Sequence, residues 1–99
     1  MEIIKELAGT SLTLKLSGRL DTVAAADFDR QLDEMLNGVE ALTLDCTDLA
    51  YVASSGLRTF LKAQKRMNKQ GHMVLRHVNE AVKEVLSMTG FDDLLTIEK

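Results

Sequence analysis

Leu12, Leu14 and Leu16 alternate with Thr13, Lys15 and Ser17, a period of two that predicts a strand with one wet face. Glu2–Leu7 precedes it across Ala8-Gly9-Thr10, the spacing of a hairpin, and Gly18 is expected to end the second strand. The period then lengthens. From Asp21-Thr22, either of which can cap, Phe28, Leu32, Met35 and Leu36 recur at helical spacing until Asn37-Gly38. Asp27, Asp29, Asp33 and Glu34 fall on the outward face of that helix. Alternation returns over Ala41–Cys46, with Leu42, Leu44 and Cys46 on one side and Thr43 and Asp45 on the other.

The same pattern carries the second half of the chain. A short polar turn after the third strand leads to Ser54-Ser55-Gly56 and a helix whose buried stripe is Leu57, Phe60, Leu61, Gln64 and Met67. Gly71 stops it, and His72–Val78 reads as a strand. Asn79 caps a helix through Met88, with Val82, Val85 and Leu86 facing in. Gly90 suits a left-handed helix ending with Phe91 folding back, and Leu94–Ile97 reads as a last strand. The order ββαβαβαβ predicts an α/β domain over residues 1–99 with a mixed, mostly parallel sheet. Because two strands have a polar face, helices are expected mainly on one side.

Composition narrows the class. The chain has 99 residues, 45% apolar and 27% charged, which suits one soluble domain with one core. It starts Met1-Glu2-Ile3-Ile4-Lys5-Glu6, without the pattern of a signal peptide, and no apolar run approaches the ~20 residues of a membrane span. A cytoplasmic protein with no membrane partner is expected. The lone Cys46 sits in an apolar strand, so a buried thiol is expected rather than a reactive one. Net charge is −3, which speaks against nucleic acid as a partner. Residues 55–70 nevertheless carry Arg58, Lys62, Lys65, Arg66 and Lys69 and no acid: +5 against a total of −3, which leaves −8 elsewhere.

The chemistry concentrates at Ser54 and Ser55, where strand gives way to helix. The first N–H groups of a helix lack internal partners and carry partial positive charge. A hydroxyl there can cap; a phosphate there would be held by the same donors and would add about two negative charges. Ser54 could instead be a nucleophile on a strand-to-helix elbow. That motif wants a small residue two positions before and after the serine; Gly56 fits the second place, but Val52 fills the first. A triad would also need a histidine downstream of an acid, and only His72 and His77 exist; His77 follows Arg76 at a strand end with no obvious orienting partner. No catalytic residue is assigned. The two histidines, five apart, would point to opposite faces of a continuous strand, so no metal site is expected and no cofactor is implied.

Leu44–Arg58 resembles the signature of the anti-sigma-factor antagonist (STAS) family, in which a strand ending in Asp precedes a turn and an Asp-Ser-Ser-Gly-Leu step. Gly18-Arg19-Leu20-Asp21-Thr22 is similar to the family's turn before its first helix, and Asn79–Leu95 to its closing helix and strand. The resemblance implies a small bacterial regulator of transcription that binds an anti-sigma factor, often itself a serine kinase. Phosphorylation of a serine at the second helix releases the partner, and a phosphatase restores binding. By position Ser55 is the acceptor, Ser54 its neighbour, and Asp21 an acid close by. The acid that usually precedes the serines is Ala53 here. Tyr51–Arg58 also resembles a subgroup with Tyr-Ile-Ser-Ser-Ala-Gly-Leu-Arg, and that register makes Ser54 the acceptor. The expected partner surface comprises Asp21, Ser54, Ser55, Gly56, Arg58, Lys62, Lys65 and Arg66, on a monomer or weak homodimer. The readings that compete are a serine hydrolase, a constitutive unphosphorylated binder, and a stand-alone regulator of a transporter or signalling complex.

Overall fold

Four strands and three α-helices form in the order expected up to the C-terminus. The computed structural model describes residues 1–98. Strands β1 (Glu2–Ala8), β2 (Ser11–Leu20), β3 (Ala41–Val52) and β4 (His72–Arg76) make one sheet in the order β1-β2-β3-β4. β1 and β2 are the antiparallel hairpin; β2, β3 and β4 run parallel. Helices α1 (Thr22–Met35), α2 (Ser54–Gln70) and α3 (Glu80–Thr89) supply the connections and the closing cover.

Side-chain alternation explains why the helices lie on one face. Leu12, Leu14 and Leu16 of β2, Leu42, Leu44 and Cys46 of β3, and Met73 and Leu75 of β4 are all fully buried. Thr13, Lys15, Thr43, Asp45, Val74 and Arg76 on the other face keep contact with solvent. Phe28, Leu32 and Leu36 from α1 and Leu57, Phe60 and Met67 from α2 complete the core. Phe28 and Phe60 meet edge to face with ring centres 6.3 Å apart, a contact that contributes roughly 0.5–1.5 kcal/mol beyond its buried area.

Several expected boundaries move. β2 does not end at Gly18: it runs on to Leu20, with Gly18 in the left-handed region (φ 92°) at a shift of register. β3 likewise continues to Val52, so Thr47-Asp48 is not a turn. Ser17 pairs with Asp48 where Lys15 pairs with Asp45, so β3 carries an extra residue there; this bulge keeps both strands hydrogen-bonded while the pleat shifts. β4 stops at Arg76 because His77 turns to φ 57°. The fifth strand is absent among the described residues. Phe91–Asp93 forms a 3₁₀ turn, η1, and Ile97 makes one isolated parallel bridge to Leu75. That bridge is held in part by Gln64, whose buried side chain accepts from the Thr96 N–H at 3.0 Å.

Asn79 caps α3 as expected, its side chain accepting from the Val82 N–H at 3.0 Å, and Gly90 ends that helix in the left-handed region. Gly71 ends α2 for a different reason, since its φ of 171° is extended. A Cβ there would lie 1.8 Å from the Glu40 carbonyl oxygen, so only glycine lets α2 pass this close to the β3 entry.

Candidate functional site

The C-terminal ends of β2 and β3 lie side by side, with Leu20 paired to Val52 and the Ala53 N–H donating to the Leu20 carbonyl at 2.9 Å. The chain leaves each strand directly into a helix. The starts of α1 and α2 are therefore neighbours, and Asp21 and Ser54, far apart in sequence, are brought to one end of the sheet. Asp21 caps α1, its carboxylate accepting from the Ala24 N–H at 2.9 Å, which decides between the two capping candidates.

The second helix start differs from expectation. Its N-cap is Ala53, and no side chain caps it. Ser54 and Ser55 are its first two helical residues, so neither hydroxyl does the capping work assigned to that pair. An N-cap serine, threonine or acid usually contributes about 1 kcal/mol, and α2 goes without it. The two serines are also unlike one another. Ser54 is exposed; Ser55 is half-buried, and its Oγ is sealed from solvent with no hydrogen-bond partner. Gly56 is buried against β2, where a Cβ would sit 2.8 Å from Leu20 Cγ.

The basic stripe separates into two groups. Arg58, Lys65 and Lys69 are exposed and form no ion pair among the described residues. Lys62 pairs with Asp29 of α1 at 3.1 Å, and that carboxylate raises its pKa. Arg66 is only half-exposed and clamps α2 to the end of α1. It donates to the Asp33 carbonyl at 3.1 Å and to Asn37 Oδ1 at 2.8 Å. Two cations of the expected partner surface, Lys62 and Arg66, therefore also bond across the seam between α1 and α2, although Lys62 stays exposed. A shallow groove of about 310 Å³ follows this seam, bordered by Thr22, Ala25, Asp29, Ser55, Arg58 and Lys62. A larger groove of about 750 Å³ lies between β4, α3 and η1 and includes none of these residues.

One pair escaped the sequence reading. Arg19 and Tyr51 are register partners next to Leu20 and Val52, and the guanidinium stacks 4.2 Å from the Tyr51 ring centre. Both are exposed. They stand on the exposed side of β2 and β3, one residue before the buried Leu20 and Val52 that end the two strands. Two extra residues in β3 hid this partnership, since an unbroken register from the Lys15–Asp45 pair would set Arg19 opposite Leu49.

Other chemistry is muted. Burial pushes the Cys46 thiol up to about 12, with the nearby Asp45 charge adding to it. Among the described residues no group of His, Cys, Asp and Glu could hold a metal ion, and no helix is long and apolar enough to cross a membrane.

Known proteins share the sequence pattern and the fold of this chain. The sequence family described as "Mlab, STAS domain" matches residues 4–96. The anti-sigma F factor antagonist of Paenibacillus polymyxa is 33% identical over 89 residues, covering 87% of this chain and 76% of that protein. The anti-sigma-B factor antagonist of Listeria monocytogenes is 26% identical over 98 residues, covering 96% and 85%. Among solved structures, the anti-sigma factor antagonist SpoIIAA in its unphosphorylated form superposes with a TM-score of 0.84 at 17% identity, covering 99% of this chain and 89% of the other. The Bacillus SpoIIAA in its phosphorylated form gives 0.75 at 16% identity, covering 99% and 92%. With the family match spanning nearly all of the described residues and the fold shared throughout, the chain belongs to the STAS domain family.

Proposed function

We propose that this protein is a cytoplasmic anti-sigma factor antagonist: it binds an anti-sigma factor of the serine-kinase type and so frees a sigma factor. It does no chemistry itself. The observation that carries this reading is the convergence of Asp21, Ser54 and Arg58, all exposed, at the paired starts of α1 and α2. Relatives of this chain bear the name of anti-sigma factor antagonists, and one structural neighbour is known in both an unphosphorylated and a phosphorylated form. The exposed cations Arg58 and Lys65 suit a partner that presents acids.

Control follows from charge. The bare surface offers a neutral hydroxyl, whereas phosphorylation of a serine at the start of α2 places about two negative charges in the same contact. Each 1.4 kcal/mol of lost binding is about tenfold in affinity, so a penalty of a few kcal/mol releases the partner. A phosphatase resets the surface. Titration calorimetry of the purified protein against the anti-sigma factor of its own cell tests the reading. Binding of the unmodified form and its loss on phosphorylation are expected; no binding of the unmodified form overturns it.

A further inference from the structure

We propose that the groove between β4, α3 and η1 binds a small amphiphilic monoanion, an apolar body bearing a single carboxylate or sulfonate. The groove shares no residue with the α1–α2 seam, and its assignment does not rest on the function proposed above. Its volume of about 750 Å³ lies within the range of roughly 300–1,000 Å³ usual for small-molecule sites. It also opens beyond the carboxyl end of a parallel strand, where open α/β sheets commonly take their ligands.

The fold leaves this space because β4 is short. β4 pairs with β3 only over Ala41 to Asp45, whereas β3 runs on to Val52. The chain turns away at His77, a non-glycine residue at φ 57°. Asn79 then ties it to β3, its side-chain amide donating to the Leu49 carbonyl at 2.6 Å. α3 forms one wall of the groove, and the segment around Ile97, bridged to Leu75, forms the other.

Three side chains with donors to spare meet where β4 stops. Arg76 spends its Nε on Glu98 at 2.8 Å, and its two Nη groups make no hydrogen bond among the described residues. Lys83 is exposed and joins no ion pair among those residues, and the exposed His77 imidazole makes no hydrogen bond there. The floor is apolar: Leu95 is buried, and Val78 and Ile97 are half-buried. Of the two acids at the rim, Glu98 is matched by Arg76. Asp92 lies past the far end of α3, about two helical turns from Lys83, and repels an anionic head from that end. The lining therefore fixes which way round the ligand lies. A ligand without the charge gains only the floor; an anion without an apolar body meets solvated cations, which alone contribute little.

The probe is 1-anilinonaphthalene-8-sulfonate, with uncharged N-phenyl-1-naphthylamine as its comparator. Fluorescence titration of the whole protein should give one saturable site for each. Lys83→Glu should weaken the sulfonate by about tenfold or more and the neutral comparator by less than about twofold. Ser87→Trp, which fills the groove from an exposed position on α3, should abolish both, with the melting temperature near that of the wild type. A second measurement needs no variant. In amide NMR spectra the sulfonate should shift signals of residues 76–83 and 95–98 and leave those of residues 54–62 in place. Shifts confined elsewhere, binding that survives in folded Ser87→Trp, equal weakening of both probes by Lys83→Glu, or no saturable binding overturns the assignment.

Discussion

Gly56 rests against Leu20 so closely that a methyl group on it would come within 2.8 Å of Leu20 Cγ. This contact seats the first turn of α2 on the end of β2, and it sets where both serines stand. Leu20 is fully buried and cannot swing into open space. Gly56→Ala therefore forces a repacking that costs about 1–3 kcal/mol, against a gain of roughly 1 kcal/mol from helix propensity. We expect a net loss near 1 kcal/mol in urea unfolding, with weaker capture of the anti-sigma factor because the serines are displaced. Unchanged unfolding and capture would mean that the seat is loose.

The two groups of cations predict two phenotypes. Arg66→Ala should destabilise the fold by about 1–3 kcal/mol, since it removes two hydrogen bonds that tie α2 to α1. Paired reversal of Arg58 and Lys65 to Glu should leave thermal unfolding nearly unchanged while reducing affinity for the anti-sigma factor at least tenfold. Charge reversal at Lys62 and Arg66 is not a clean probe of the partner surface, because both residues already hold α1. Binding unaffected by the Arg58 and Lys65 reversals would take the stripe out of the interface.

Acid should expose a contribution from Asp45. Its partial burial opposes ionisation. Hydrogen bonds from the Thr47 hydroxyl at 2.6 Å and the Thr47 N–H at 3.0 Å, with the charges of His77 and Lys15, outweigh that and hold its pKa below the usual carboxylate value. A depressed folded-state pKa contributes stability above the unfolded-state value and loses it as pH falls through the folded one. The site is partly solvated, so the effect should stay below about 1 kcal/mol. Melting temperatures of wild type and Asp45→Asn should converge as pH falls into the acid range; a constant offset down to the lowest pH would contradict this.

Cys46 should be silent in the native protein. Its side chain is fully buried and its thiol is pushed up to about 12, so almost no thiolate exists at neutral pH. Reaction with a thiol reagent should be negligible in buffer and reach one equivalent in denaturant. Rapid labelling of the folded protein would show that this part of β3 opens readily.

The element order was legible wherever a period ran unbroken. β2, α1 and α3 show this best, because Leu12-Leu14-Leu16, Phe28-Leu32-Leu36 and Val82-Leu86 each mark one buried face. Boundaries were lost where the period broke for tertiary reasons. The β3 bulge put a polar pair, Thr47-Asp48, where a turn was expected, and the apolar Leu94–Ile97 makes a single bridge to β4 rather than a strand.

The candidate site divides in the same way. That a serine pair stands at a strand-to-helix step could be read from local composition, as could the identity of every residue there. Which serine faces water, which cations are already engaged by α1, and that Arg19 lies on Tyr51 depend on parallel pairing between β2 and β3. Local patterns encode which face of an element is buried, because burial acts on each residue through its own side chain. Register and helix docking are settled by contacts between residues distant in sequence, and no single segment carries that information.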